Sequence, residues 1–501
     1  MTISWQASSD NVGVTGYQVL RNNTRIATVS GTSYRDSSVA PSTAYSYTVV
    51  AFDAAGNNSV ASAVAQATTP GATGTVIQAN PSNYLQLLDT LKPGDTLQLA
   101  AGNYGVTSSG ADTSDVPGLP IFDLNGTEAQ PITIAGPTSG APAKLLGRGT
   151  HNTIRLDNAS YVIIRDLEVD GRDLGGDGVS AQGVVHHITL ENLYIHGVGG
   201  DQLTSALSAN SAPTWNWTIR HNLIAGAGTG MYLGNSDGRN PSVNNLIEHN
   251  VFRDTLGYNM QVKHQLVWST IPTGMPTGKT STVIRHNVFQ KSGNSSGGSL
   301  TRPNLLVGDQ PPSGPGADNG FEIYGNFFYQ NPVEVLFQGE GNIAFHDNLM
   351  INTLGTAMSI QVHNGSVRTV RIFNNTVIAL DKGISVSGGQ AGTTQRVLGN
   401  AVFASAPISV SGADASASDN VTGAQSAAAT FLTNPTGALG VLDLFPKAGQ
   451  LSGTPLGTTG LTSYTDYDRD FNGAARNWSM RGAYSGQGAN PGWKPILDFK
   501  P

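Results

Sequence analysis

The 501 residues leave room for more than one domain, and 62 glycines with only 12% charged residues suit short strands joined by many turns; the absence of cysteine excludes a disulfide framework and any thiolate metal site. The 27 Lys and Arg against 34 Asp and Glu give a formal net charge of −7, with no basic run to neutralise a phosphate backbone, so nucleic acid is excluded as a partner. No apolar run is long enough to span a bilayer, and no signal-peptide pattern opens the chain, which already reads as strand at its start; a secreted, periplasmic or cell-surface protein with its targeting segment upstream is expected.

Over 2–69 the sequence alternates with period two between turn clusters, which predicts strands at 2–7, 16–21, 25–29, 44–53 and 60–67. Trp5, Tyr17, Val19, Tyr47, Val49 and Ala51 fall at inward positions. With 10–13, Tyr45 and 53–57, the pattern resembles the fibronectin type III modules attached to bacterial carbohydrate-active enzymes, short of their first strand. The resemblance implies a β-sandwich over 1–69, and its lack of an acidic, basic or aromatic cluster suits a spacer or surface attachment. TTPGATGT (68–75) reads as a polar linker, with the boundary placed at 70–75.

Next, Leu85, Leu88 and Leu91 recur at helical spacing after Ser82, a predicted N-cap, and KPGDTLQLAAGNY (92–104) reads as turn, strand and turn. This helix-then-strand unit resembles the N-terminal cap of pectin-lyase-like β-helices, which stops the open end of a solenoid from pairing with another chain.

Within 76–424 the motif I-x-x-N-x-(I/V/F) recurs from 162 to 403, with Asp166, Asn192, Asn222, Asn250, Asn287, Asn326, Asn348, Asn375 and Asn400 at the aligned position. Such a column predicts a stacked amide ladder, architectural rather than catalytic, in a right-handed parallel β-helix. His221, His249 and His286, each preceding a ladder Asn, read as a structural stack. The ladder steps are 22–30 residues except for 37 (Asn250 to Asn287) and 39 (Asn287 to Asn326). The excess is assigned to Gly/Pro-rich 266–281 and 309–319, which should emerge as loops on the binding face. The tail, 425–501, loses the repeat and is expected to pack on or cap the solenoid through Asp470, Asn472 and Arg476.

Each coil has a second strand: MYLGN (231–235), MQVKH (260–264), LLVGD (305–309), VLFQG (335–339), SIQVH (359–363) and ISVSG (384–388). With Met260 and Val262 inward, Gln261 and Lys263 point outward, and Lys263 is expected in a column with Gly234, Gly308, Gln338 and Gln361. A lone cation among glycines and amides beneath inserted loops suits base chemistry. Opening a uronate chain by β-elimination needs a base for the C5 proton, groups that stabilise the carboxylate as charge develops, and an acid for the departing oxygen. Lys263 fits the base if desolvation or a neighbouring cation lowers its pKa, and Arg302, in GGSLTRPNLL (297–306), fits a carboxylate clamp one coil on. His264 could donate to the leaving oxygen. Tyr232, Tyr258 and Trp268 are candidate sugar-stacking rings, and Gln261, Asp309, Gln338 and Gln361 candidate polar contacts.

QVKHQ, VIRHNVFQKSG and GGSLTR resemble the alginate and chondroitin lyases of polysaccharide lyase family 6, over roughly 245–326 and the N-terminal cap. The resemblance implies Lys263 as base and Arg302 as its assistant, acting on an acidic polysaccharide. SLTRP lacks the leucine and histidine that flank the family's arginine. Members often hold calcium on two carboxylates five and seven residues before the lysine; here these positions are Tyr258 and Leu256, so that calcium site is absent, although calcium elsewhere would be compatible. No H-x-H or H-E-x-x-H pattern marks a transition-metal site, and no cofactor is expected. Two alternatives stay open: glycoside hydrolysis by carboxylates drawn from Asp177, Asp201, Asp237 and Asp309, or glycan binding without catalysis.

Overall fold

The computed structural model describes the whole chain except residues 12, 37–38, 40–42, 54, 70–73, 106–116 and 150, so most of the predicted linker and one residue of 10–13 lie outside the described residues. At the N-terminus, Thr24–Val29, Val14–Arg21, Ala44–Asp53 and Ala65–Thr68 form an antiparallel four-stranded sheet in that order, and Thr2–Ser4 pairs with Ser33–Arg35. Period-two alternation turns Tyr17, Val19, Tyr47, Val49 and Ala51 into the interior, where Trp5 meets Tyr17 edge-on at 5.3 Å. This is a fibronectin type III-like sandwich.

Beyond it the chain winds into a right-handed parallel β-helix. Among the described residues its three faces are sheets of eleven, fifteen and twelve strands, every neighbouring pair within them parallel. Stacking places like residues over like: Phe252, Phe289 and Phe328 lie face to face at 5.1 and 4.8 Å inside a core running from Leu97 to Val402. The cap helix is shorter than predicted, Tyr84–Leu88, and Ser82 does not cap it; the Ser82 hydroxyl bonds the Asn80 side chain instead, and Leu85 faces outward while Tyr84 and Leu88 are buried.

The amide ladder is present from Asn222 to Asn420, one rung further than predicted. At each rung the side-chain carbonyl accepts both the backbone N–H and the side-chain N–H of the Asn one coil earlier, as between Asn326 and Asn287 at 2.8 and 3.0 Å. Asp166 and Asn192 are not rungs. They occupy the preceding column, whose residues adopt positive φ: Asp166, Asn192, His221, His249, His286, Asp347 and Asn374 lie between 51° and 60°. Asn, Asp and His tolerate this left-handed turn better than β-branched residues do. At the first two coils the rung position is instead filled by buried Leu167 and Leu193. The three histidines form a stack, with ring centres 5.0 Å apart at each step.

The tail does not close the end of the solenoid but lies along the outer face of the twelve-stranded sheet. Leu442, Leu444, Phe445, Phe471, Met480 and Tyr484 pack on Val251, Val288, Phe327, Leu349, Ile378 and Phe403. Arg476 donates to Asp347 at 2.9 Å in full burial, and Asp470 accepts backbone N–H groups from Asn472, Ala474 and Ser485. The N-terminal module touches this tail through Arg25, whose guanidinium is paired with Asp466 and Asp468.

Because each rung carbonyl accepts from the coil before it, Asn326→Ala should strand the Asn287 backbone N–H and remove one of the two donors to the Asn348 carbonyl, at roughly 1–3 kcal/mol for each buried group left unpaired. A denaturant-unfolding midpoint equal to wild type would contradict this account of the ladder.

Candidate active site

The candidate site is built on the outer surface of the eleven-stranded sheet. Here the residues facing away from the core form a column, Ser208, Tyr232, Gln261, Leu306, Gln338, Ser359, in successive strands. Lys263 follows the strand Met260–Val262, and its backbone N–H donates to Leu233 at 2.9 Å, so it stands between Gly234 and Gly308 as expected. Gln338 belongs to the Gln261 column instead, because Leu306 pairs with Gln338 and Gly339 with Ile360; the position beyond Gly308 is Glu340, followed by exposed Gln361. Glu340 is turned to the following coil, accepting N–H groups from His363, Asn364 and Gly365.

The Lys263 amine lies 5.4 Å from the centre of the Tyr232 ring and 5.7 Å from that of Tyr258. It makes no hydrogen bond or ion pair with any described residue. Burial, then the nearby Arg302, lowers its pKa. On the next coil the Arg302 guanidinium lies 5.8 Å from the same Tyr258 ring and donates to the Ser299 and Thr301 carbonyls at 3.1 and 2.6 Å. Burial raises the Tyr258 pKa, partly offset by Arg302. Two cations and two phenols thus share one half-buried surface.

Several predicted contacts are elsewhere. Gln261, although on the outward column, is only 4% exposed and is closed to a ligand. Trp268, 8% exposed, is no sugar platform: it packs with Trp215, Val243 and Met275, and its indole lies over Gly316, tying the two inserted loops together at the corner between the eleven- and fifteen-stranded sheets. Those loops therefore hold each other; they are not a roof built on Lys263. Asp309, 5% exposed, is committed to Arg368 at 2.9 Å and to the Ser366 N–H. His264 has a buried Nδ1 with no partner among the described residues, its Nε2 lies against the Gly238 turn, and burial lowers its pKa, which disfavours the imidazolium form a proton donor needs.

The carboxylates considered for hydrolysis are each engaged by backbone N–H groups. Asp201 and Asp237 accept N–H groups within their own turns, from Leu203 and Thr204 and from Arg239. Asp177, pushed up to about 6 by burial, accepts the Ser205 N–H of the next coil.

A third excursion, 291–304, was missed. It leaves the strand Val288–Gln290, crosses three coils so that the Leu300 carbonyl receives a hydrogen bond from Gln202, and carries Arg302 back to the strand Leu305–Val307. Its Ser/Gly-rich run (292–299) was the available signal, hidden because the whole surplus of that coil was assigned to 309–319. At its root Lys291 is 1% exposed and donates to the carbonyls of Gly257 (2.7 Å) and Arg302 (2.9 Å). Asn331 donates to the same Arg302 carbonyl at 3.0 Å. A buried ammonium costs several kcal/mol unless it is hydrogen-bonded; this one joins the residue before Tyr258 to Arg302 itself.

For calcium, the two positions that the family resemblance singles out, Leu256 and Tyr258, offer no carboxylate, so these residues do not fit the ion. Among the described residues, Glu168, Asp170 and His196 bring three ligand atoms within 4.8 Å of one another, but the Lys144 amine already lies 2.7 Å from Glu168. A cleft of about 410 Å³ lies apart from Lys263, between the N-terminal module and the tail, where Arg25, Asp347, Asp466 and Asp470 are bound to partners already described.

No protein-family model matches the chain. An alpha-amylase of Niallia circulans is 56% identical over 68 residues, and exoglucanase B of Cellulomonas fimi 54% identical over 68, in each case 14% of this chain and a stretch the length of the N-terminal module. The chain spans only 5% and 6% of those relatives' lengths. Among solved structures, pectate lyase Pel9A is 14% identical, with 83% of this chain and 96% of that one covered at a TM-score of 0.45. The PL6 family alginate lyase AlyGC is 15% identical, with 70% and 51% covered at 0.39. These likenesses concern the fold alone.

Burial brings the Lys291 pKa down to about 7, well below its value in an unfolded chain. The unfolded state then binds more protons between about pH 7 and 10, so this group makes stability rise with pH across that window. Lys291→Met should remove that increment and speed amide exchange in 254–259 and 296–304. Denaturation midpoints of wild type and variant that run parallel from pH 7 to 10 would contradict it.

Proposed function

We propose that this protein cleaves a uronate-containing extracellular polysaccharide by β-elimination, with Lys263 as the base and Arg302 as the group that holds the uronate carboxylate. The observation that carries the reading is the Lys263 amine, half-buried, without a counter-ion, and in reach of an arginine that also lacks an ion-pair partner among the described residues. A structural lysine is normally solvated or paired. One kept unpaired beside a second cation is poised to lose its proton and to attract an anion.

In the reaction the Lys263 amine removes the C5 proton, made acidic by the adjacent carboxylate, while Arg302 stabilises the charge that gathers on the carboxylate oxygens. The electron pair forms the C4–C5 double bond as the glycosidic oxygen on C4 departs. Tyr232 and Tyr258 offer aromatic faces beside the cations, and Gln338 and Gln361 extend the polar surface along the sheet. Glycan-active relatives matching over a module-length stretch support an extracellular polysaccharide as the partner. No helix among the described residues is long and apolar enough to cross a membrane. We place the protein outside the cytoplasm, as a secreted, periplasmic or cell-surface enzyme.

Incubation with polyuronates should generate the ultraviolet absorbance of an unsaturated uronate end. Lys263→Ala should lower kcat by about 10²–10⁴, the usual contribution of a positioned base, and Arg302→Ala should both lower kcat and raise KM. Activity should rise with pH as Lys263 deprotonates, with its midpoint below the ordinary lysine value. New reducing ends without the absorbance would indicate hydrolysis, and retention of polymer without cleavage would indicate a binding protein.

A further inference from the structure

Elimination leaves an alkoxide that must take up a proton, and several titratable groups near Lys263 are occupied elsewhere. Burial against the Gly238 turn disfavours the His264 imidazolium; Asp309 is paired with Arg368; Glu340 caps the turn at 363–365. The Tyr232 hydroxyl donates to Ser236 at 3.0 Å. Arginine does not give up its proton in proteins. Tyr258 remains: its ring centre lies 5.7 Å from the Lys263 amine and 5.8 Å from the Arg302 guanidinium, and its hydroxyl makes no hydrogen bond with any described residue. Its backbone is fixed through Gly257, held by buried Lys291, and its own carbonyl, which accepts the Gly230 N–H at 2.9 Å.

We propose that Tyr258 is the catalytic acid of this site, and that its placement beside Lys263 selects uronates whose C5 hydrogen and C4 oxygen lie on the same face of the sugar ring. The assignment rests on the lyase reading above. The amine lies 5.7 Å from the centre of the phenol ring, too near for a pyranose to pass between them, so both reach the sugar from one side. Removal of the C5 proton and protonation of O4 then occur on one face. That arrangement exists in mannuronate and glucuronate, whereas in guluronate and galacturonate the two bonds lie on opposite faces.

Atoms balance without any co-reactant. Lys263 takes the C5 proton; the C5–H electrons form the double bond; the C4–O4 electrons pass to O4, which takes the Tyr258 phenolic proton. The phenolate then recovers a proton from the Lys263 ammonium, and both groups return to their starting state. Burial lowers the lysine, which favours its free-base form, and raises the tyrosine, which keeps the phenol protonated and favours return of the proton from ammonium to phenolate.

The test compares wild type, Tyr258→Phe and Lys263→Ala on polymannuronate, a glucuronate polymer, polyguluronate and polygalacturonate, followed by absorbance. Wild type should cleave the first pair in preference to the second. Tyr258→Phe should lower kcat on the preferred polymer at least about 10²-fold with KM within a few-fold of wild type, and should lose the alkaline fall of the pH profile. A Tyr258→Phe variant with undiminished kcat, or a wild type that prefers guluronate or galacturonate, overturns this assignment and leaves the lyase reading standing. A wild type that cleaves none of the four overturns both.

Discussion

Parallel, in-register stacking of one coil on the next governs this molecule. A buried asparagine amide has donors and an acceptor that the hydrophobic interior cannot satisfy, and in each rung from Asn222 to Asn400 the next coil supplies a carbonyl partner. A slip of one residue would leave those groups unpaired and turn the Phe252, Phe289 and Phe328 stack away from the core. Register is therefore fixed over the whole length of the solenoid. The outward columns, including the position of Lys263 between two glycines, inherit that precision without contacts of their own.

Function is proposed where the stacking is interrupted. The strand Met260–Val262 is regular, but the segments that flank its neighbours leave the coil. Excursions 266–281 and 309–319 bind one another through Trp268 and Gly316, whereas 291–304 runs along the solenoid and returns with Arg302. A loop free of the ladder needs another anchor, and the buried Lys291 ammonium, with Asn331, supplies one by bonding carbonyls on two coils. The same bonds set Tyr258 and Arg302 at a fixed separation. An exposed cation on a mobile loop would be a weak carboxylate clamp, because ordering it would cost binding energy at each encounter; an anchored one is pre-organised.

The tail and the N-terminal module serve a different part of the surface. Apolar tail residues cover the twelve-stranded sheet, and ion pairs from Arg25 to Asp466 and Asp468 join the module to that cover. The eleven-stranded sheet, which the apolar tail cluster does not cover, is the face on which the site is proposed. The outward columns differ in composition: Val251, Val288, Phe327 and Leu349 on the clad face, against the mostly polar Tyr232, Gln261, Leu306, Gln338 and Ser359 on the other.

The amino-acid sequence by itself determined the all-β architecture, the ladder asparagines, the histidine stack and the outward direction of Lys263. All of these follow from local periodicity, repeated coil after coil, and periodicity is written in the order of the residues. It misplaced Asp166 and Asn192 by one column and offered Gln261, Trp268 and Asp309 as surface groups, because pattern gives the direction of a side chain but not what lies over it. Only the tertiary structure showed that 291–304 is an excursion, that Lys291 is buried at its root, and that Tyr258 stands between the two cations. Those facts depend on contacts between segments up to about a hundred residues apart, such as Gln202 with Leu300. A carbonyl that accepts a hydrogen bond leaves no mark in the sequence, since every residue carries one.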